Sequence, residues 1–358
     1  MSRFLIVDIG AGTMDILCYD SESGQSYKAV AQSPVLSLAK EAERLSGNLL
    51  ITGCEMGGGA ISTILRERAQ KSDVIMSVSS AATINHNLDK VRSWGIKIVE
   101  DAEAEGMQQD KNYTTLTLGD LDIDRLRHIL KGLDVSFSFD IVGVCAQDHG
   151  TPPEGVSHLD YRHTTFKAGL DLDPFPHTLL YREDEVPKTF NRLSAIAATA
   201  KKLPADEVYV MDSGMAAIVG ATMDPQSRRK KRVIVLDVAT SHTVGAAMAG
   251  EELYGFFEYH TRDITLARLE ALLADLADGI LKHEQILREG GHGAYVRKAL
   301  GFQAVEIIVA TGPKRRLIEN SRLPIMLGAP LGDNMMTGTV GVLEAIRRRK
   351  GLGVFNYS

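Results

Sequence analysis

The sequence predicts an α/β protein of two duplicated domains, each centred on a mixed sheet, with a cleft between them. Three observations carry the prediction. At 358 residues the chain exceeds the usual size of one domain. Two all-apolar runs, Phe4-Leu5-Ile6-Val7 and Val233-Ile234-Val235-Leu236, read as strands buried on both faces, and each ends in an aspartate, Asp8 and Asp237. After each aspartate the same order follows: a turn, two strands, a helix and a further strand. This is a repeat of architecture, though not of letters.

The first strand leads into Asp8-Ile9-Gly10-Ala11-Gly12-Thr13-Met14-Asp15, and a second apolar run, Ile16-Leu17-Cys18-Tyr19, follows. Glycine lets a ligand approach the backbone, and successive N–H groups in such a turn form a nest suited to phosphate. Asp8, at the strand end, suits a hydrated Mg2+. An ordinary glycine hairpin accounts for the same letters. Strands are expected at 26–30, 49–52, 74–78, 96–99 and 141–145, and helices at 37–45, 60–71, 82–93 and 121–130. The segment Gly53-Cys54-Glu55-Met56-Gly57-Gly58-Gly59 feeds a helix N-terminus and is a second candidate anion turn, with a plain flexible connection as the alternative. Residues 101–112 are polar and acidic and read as an exposed loop.

The strand at 141–145 is followed by Ala146-Gln147-Asp148-His149-Gly150 and a long loop holding His158, Asp160, Tyr161, Arg162, His163 and His177. Asp148, His149, His158 and His163 lack a fixed metal-ligand spacing, so a substrate-side loop is expected there, with His149 as the substrate contact. Helix resumes at 189–202 and strand at 208–211. Asp212-Ser213-Gly214 then opens a small-residue helix at 215–221, which must pack closely against a neighbour. The basic run Arg228-Arg229-Lys230-Lys231-Arg232 reads as a solvated boundary. In the second half, Val238-Ala239-Thr240-Ser241-His242-Thr243 forms the turn, with strands at 244–249, 253–259 and 305–310 and helices at 264–281 and 294–300. Thr311-Gly312-Pro313-Lys314-Arg315 closes the repeat. The expected division is a first domain at 1–227 with an inserted substrate-side region, a second at 228–337, and a helix at 338–358 returning to the first.

Composition narrows the function classes. A hydrophobic content of 44% with 24% charged residues describes an ordinary soluble globular chain. A net charge of −6 argues against nonspecific nucleic-acid binding. No apolar run reaches the ~20 residues that span a bilayer, so no membrane partner is expected. The N-terminus lacks a signal-peptide pattern, and Cys18, Cys54 and Cys145 are odd in number and far apart. A reducing, cytoplasmic compartment follows.

The order of these motifs resembles the actin-like ATPase superfamily, whose members include actin, heat-shock chaperone ATPases and sugar kinases. The resemblance implies two duplicated RNase H-like domains with ATP and Mg2+ in the cleft between them. Asp8 to Thr13 resembles the first phosphate loop, with Gly10, Gly12 and Thr13 cradling phosphates. The segment 237–243 falls where the second phosphate loop belongs, with Thr240, Ser241 and Thr243 hydroxyls in place of its usual glycines. Ala310 to Arg315 falls at the adenosine turn, with Gly312 against the nucleoside. Asp212 to Ala221 resembles the crossover helix, and Ala146-Gln147-Asp148-His149-Gly150 is similar to a substrate-side loop of some sugar kinases. On this reading Asp8 and Asp237 hold the metal, and Asp212 orients or deprotonates the attacking group. Without it, Asp8 and Asp237 cap strand ends and Asp212 caps a helix. The chain is also similar to an uncharacterised microbial family often labelled pyruvate formate-lyase activating. An activase of that type needs a clustered cysteine trio, which the cysteine spacing does not supply.

Two function classes follow from the resemblance. One is an ATP-dependent kinase or ATPase acting on a small-molecule substrate. The other is a nucleotide-responsive regulatory or assembly protein, compatible with a homo-oligomer, in which closure matters and turnover does not. A metal-dependent hydrolase using Asp148, His149, His158, Asp160 and His163 is a third.

Overall fold

The computed structural model describes residues 2–153 and 155–357. β1 (Arg3–Ile9), β2 (Thr13–Asp20) and β3 (Ser26–Gln32) form an antiparallel meander. The apolar runs of β1 and β2 are fully covered, as expected for central strands. Ser33 then caps α1 (Pro34–Arg44), its hydroxyl accepting from Val35 N–H.

A separate unit is inserted next. It runs β4 (Asn48–Gly53), α2 (Gly59–Arg68), β5 (Val74–Ser77), two short helices α3 (Val78–Ala81) and α4 (Leu88–Ser93), β6 (Lys97–Val99), α5 (Asp101–Met107) and β7 (Tyr113–Leu118). Its four strands are all parallel, in the order β6-β5-β4-β7. It has its own apolar core, built on Leu49, Ile51, Ile61, Leu65, Met76 and Leu116.

α6 (Ile123–Gly132) brings the chain back to β8 (Phe139–Ala146), which lies parallel to β1. α7 (His158–Leu172), β9 (Leu180–Arg182), α8 (Asn191–Ala200), β10 (Ala205–Met211) and α9 (Ser213–Thr222) complete the first half. The second half runs β11 (Arg232–Val238), β12 (His242–Ala249), β13 (Glu252–His260), α10 (Leu266–Ala277), α11 (His283–Arg288), β14 (Gly293–Val296), β15 (Ile307–Thr311), β16 (Ile325–Leu327) and α12 (Thr337–Arg349).

The two large sheets have the orders β3-β2-β1-β8-β10-β9 and β14-β13-β12-β11-β15-β16. In each, a three-stranded antiparallel meander is extended on its first strand by two parallel strands. The duplication is therefore real at the level of topology, and both domains are RNase H-like, as in the actin-like ATPase fold. The fourth strand of the first sheet is β8, so the strand at 49–52 has no counterpart in the second half. α9 and α12 occupy the same place after the fifth strand of each sheet, and they cross in direct contact. A Cβ added at Gly220 would overlap the Thr337 carbonyl, and one at Gly341 would overlap the Ala216 carbonyl. One apolar core runs through this crossing, from Phe4, Ile6 and Val142 of the first sheet to Val235, Ala246 and Phe256 of the second.

Four local expectations are corrected. Residues 101–112 contain α5, because Ala104 buries one face of an otherwise charged helix. The loop expected after residue 150 contains the 15-residue helix α7, which buries Arg162, Phe166 and Leu170 at four-residue spacing, and strand β9. The helix expected at 82–93 begins only at Leu88, with Asn87 as its cap. The helix expected at 294–300 is instead edge strand β14, paired to β13.

Candidate functional site

β1 and β11 are equivalent strands, and their terminal aspartates both line one cavity of about 510 Å3 between the halves. The turns that follow match atom for atom in their closure. Gly10 N–H donates to the Thr13 carbonyl at 2.9 Å, and Ala239 N–H donates to the His242 carbonyl at 3.1 Å. Among the described residues, the N–H groups of Ala11 and Gly12 in one turn, and of Thr240 and Ser241 in the other, have no hydrogen-bond partner. Each turn thus offers two adjacent donors to the cleft. The absence of glycines from the second turn does not remove its donors, because neither of its central residues needs a positive φ. The turns nearly touch: a Cβ on Gly12 would lie 3.1 Å from Thr240 Oγ1.

The carboxylates are gathered with Arg192 as their weak counter-charge. Burial pushes Asp8 up to about 7 against a hydrogen bond from Cys145, and the charges of Asp237 and Asp212 add to the rise. Burial pushes Asp15 up to about 8, with the Asp8 charge second. Burial likewise lifts Asp237 to about 6, opposed by the Thr311 hydroxyl, which donates to Oδ1 at 2.9 Å. Asp15 Oδ1 is buried with no partner. Asp8 also packs so tightly on the start of α12 that any side chain at residue 338 would overlap it, which makes Gly338 necessary. Hard oxygen donors, carboxyls whose ionisation a cation would favour, and an orphaned oxygen suit Mg2+.

The adenosine-position turn lies on the same cavity through Gly312 and Pro313. Gly312 has φ +90°, and a Cβ there would reach 2.5 Å from the Val238 carbonyl and 2.9 Å from Asp237 Oδ1. Met56, Gly57, Gly58 and Gly59 line the opposite wall, so the inserted unit contributes its glycine turn to the cleft. Arg192 anchors that wall by a two-point pair with Asp120 at 2.8 and 2.9 Å.

Of the residues singled out from sequence, Asp8, Gly10, Gly12, Thr13, Asp237, Thr240, Ser241, Gly312 and His149 meet on this cavity. Thr243 and Asp212 are not among its lining residues. Thr243 is the next residue along β12 from His242, so it faces the other side and hydrogen-bonds the Thr261 hydroxyl at 3.0 Å. Asp212 is held elsewhere. It caps α9 through Gly214 and Met215 N–H, and both of its oxygens accept from Arg162 Nη2 at 3.0 and 2.9 Å. Arg162 Nη1 reaches Glu258 on β13 at 2.5 Å, and Gln147 also donates to Glu258. A buried charge triad therefore ties the end of β10 to the second sheet.

The histidines sort differently from the sequence expectation. His149 and His158 line the cavity, but His163 stacks on His283 of α11 with ring centres 3.8 Å apart. His149 instead neighbours His242 and His292. Burial drives His149 down to about 3, aided by the Arg162 charge, and drives His242 to about 3 as well. Asp148 accepts from Leu193 and Gly150 N–H, and burial lifts it to about 6. His292, absent from the sequence expectations, sits in Gly290-Gly291-His292-Gly293, and the glycines around it were the only local signal.

A family model described as "Putative pyruvate format-lyase activating enzyme (DUF1786)" matches residues 56–317. No curated protein matches the chain. Among solved structures, the chain is similar to the inorganic polyphosphate/ATP-glucomannokinase from Arthrobacter sp. strain KM, at 13% identity over 97% of this chain and 100% of that one, with a TM-score of 0.37. It is also similar to MreB5 of Spiroplasma citri bound to ADP, at 11% identity over 99% of each chain, with a TM-score of 0.35. A third is a ROK family glucokinase from Streptomyces griseus in complex with glucose and AMPPNP, at 12% identity over 97% and 99%, with a TM-score of 0.36. The fold itself is read from the strand order and the paired turns, independently of these distant overlaps.

Proposed function

The chain belongs to the DUF1786 family, and on that premise we propose that its cleft binds ATP with Mg2+ and supports phosphoryl transfer to, or hydrolysis for, a small-molecule substrate. One observation carries the reading: equivalent strands deliver Asp8 and Asp237 to one cavity, each followed by a turn with two free N–H donors. Phosphoryl transfer depends on positioning and charge neutralisation more than on covalent chemistry. Ala11, Gly12, Thr240 and Ser241 N–H groups would hold phosphate oxygens from two sides. Asp8, Asp15 and Asp237 would hold a hydrated Mg2+ through its waters, since their oxygens do not gather into one direct ligand set, and the ion would screen phosphate charge when bound. Gly312 would admit the adenosine. Asp212 serves as cap and ion-pair partner here, and use as a base would first require breaking its pair with Arg162. No base is therefore assigned to it.

The family's description points to radical activation, which needs clustered thiolates for an iron–sulfur centre. Among the described residues, Cys18, Cys54 and Cys145 form no metal-binding group, and Cys18 and Cys145 are buried. The cysteines do not fit such a cluster. A regulatory role without turnover is the second reading, favoured by a half-buried His149 whose desolvation holds it neutral and by an Asp212 already committed elsewhere.

Calorimetry with ATP, ADP and Mg2+ tests the proposal. Binding is expected to require Mg2+ and to weaken at least about tenfold, or about 1.4 kcal/mol, in Asp8→Asn, since an amide cannot balance the cation. The reading fails if no nucleotide or phosphate-bearing metabolite binds or protects the fold. ATP turnover on adding candidate substrates separates the enzyme from the regulator.

A further inference from the structure

A second group of donors, whose chemistry differs from the aspartates, lies at the cavity wall: His149 and His242 line it, and His292 is buried beside them. His149 follows β8 in the first half. His242 opens β12, and His292 lies just before β14, both in the second half. One coordinating atom from each lies within 4.8 Å of the others. No other group of three or more metal-binding side chains of this kind occurs among the described residues.

The positions are set by the second sheet. His242 is paired with His260 in the β12–β13 register, and His292 N–H donates to the Glu258 carbonyl at 2.8 Å. His292 Nε2 faces His260 Nε2 at 3.0 Å, and its Nδ1 lies 3.5 Å from Glu258 Oε1. His242 Nε2 and His292 Nδ1 are buried with no hydrogen-bond partner. Buried polar atoms are normally satisfied, so two orphaned imidazole nitrogens aimed into one cluster call for a ligand. Glu258, beside both His242 and His292, supplies the anionic charge that a bound cation would meet there, set against Arg162.

We propose that His149, His242 and His292 form a three-nitrogen site for a divalent transition-metal ion of the zinc class, with a coordination position open to the cleft. Imidazole sets select zinc, cobalt or nickel over magnesium, whereas the carboxylates at Asp8, Asp15 and Asp237 do the reverse. The cleft then carries two ions sorted by donor type. Three histidines leave a fourth position for water or a ligand oxygen, the pattern of reactive zinc sites. Bonds of about 2.0–2.1 Å bring ligand nitrogens to about 3.4 Å from one another, so binding draws the His149 loop inward by about an ångström. Because His149 belongs to one half and its partners to the other, the ion also links the two walls. The site is independent of the nucleotide reading and stands or falls separately.

The test uses the full chain, stripped with a chelator and titrated with Co2+ in excess Mg2+ and without nucleotide. One equivalent is expected to bind, with the visible bands of a low-coordinate nitrogen site, and Zn2+ should displace it. His149→Gln, His242→Gln and His292→Gln should each weaken Co2+ binding at least tenfold, while His163→Ala should not. Asp8→Asn should keep the Co2+ spectrum even where it loses Mg2+-dependent nucleotide binding. The proposal is overturned if the wild-type chain binds neither Co2+ nor Zn2+. It is also overturned if binding survives all three glutamine variants, or if it is lost in Asp8→Asn and kept in them.

Discussion

Arg162 is a buried cation paired with two buried carboxylates. It leaves α7, a helix the sequence disguises as a loop, and joins Asp212 of the first half to Glu258 of the second. Both partners are almost fully covered, at 2% and 3% exposure. Replacing Arg162 by Met would strand two buried carboxylates, a change that typically costs about 3–5 kcal/mol. Chemical denaturation of Arg162→Met should show that loss. Removing all three charges at once, as Arg162→Met with Asp212→Asn and Glu258→Gln, should recover part of it. A loss under 1 kcal/mol in the single variant would mean that water already reaches the triad. Asp212→Asn alone should lower stability more than it lowers nucleotide affinity, since the residue does not line the cavity and its oxygens are committed to Arg162 and the α9 cap.

Among the elements, the crossing of α9 and α12 determines how closely the halves approach. Gly220 and Gly341 allow each backbone to rest on the other. Gly341→Val should push the helices apart and cost at least about 3 kcal/mol, because the obstacle is a carbonyl and cannot rotate away. An unchanged melting temperature would show that the crossing is looser than described. The small-residue run 215–221 made this contact legible before any coordinates, as did the apolar runs of β1 and β11 with their terminal aspartates. Elements whose stability comes from tertiary partners were not legible. α7 mixes His, Thr and Asp and owes its burial to Arg162, whose charge hides the four-residue period. β14 is only four residues long and gains its order from β13. The paired turns show a subtler failure: counting glycines undervalued the second turn, whose donors depend on backbone closure and not on residue type. The histidine cluster was invisible because its members lie about fifty or more residues apart and meet only after the sheets assemble, a limit of any local motif.

For the whole molecule, the collected carboxyls make stability depend on pH and on cations. Asp8 and Asp15 titrate at about 7 and about 8 when folded, against an ordinary 3.8. Their contribution is full below that ordinary value and is lost as the pH rises through 7 and 8. His149 and His242, held neutral, act in the opposite sense: their contribution is present above 6.5 and lost below it. Between pH 6.5 and 8 the contribution of His149 and His242 is constant, while that of the carboxyls falls, together with that of His86, which its hydrogen bond to Glu55 raises above 6.5, so the metal-free protein should melt at progressively lower temperature across that interval. Mg2+ should restore the loss, raising the melting temperature more at pH 8 than at pH 6.5. A Mg2+ effect of equal size at both values would mean that the ion binds away from these carboxyls.

The distribution of apolar cores has a mechanical consequence. The two large sheets share one continuous core through α9 and α12 and are stapled by Arg162, whereas the inserted unit keeps a core of its own. Stiffness therefore belongs to the paired sheets and compliance to the insert, which is attached through its packing on Val35, Ala39 and Ala42 of α1, its chain connections and the Arg192 anchor. The jaw bearing Asp8 and Asp237 stays fixed. The jaw bearing Met56 to Gly59 can ride in and out without disturbing the spacing of the aspartates, so the cleft can adapt its width to what it holds while the charged floor keeps its shape.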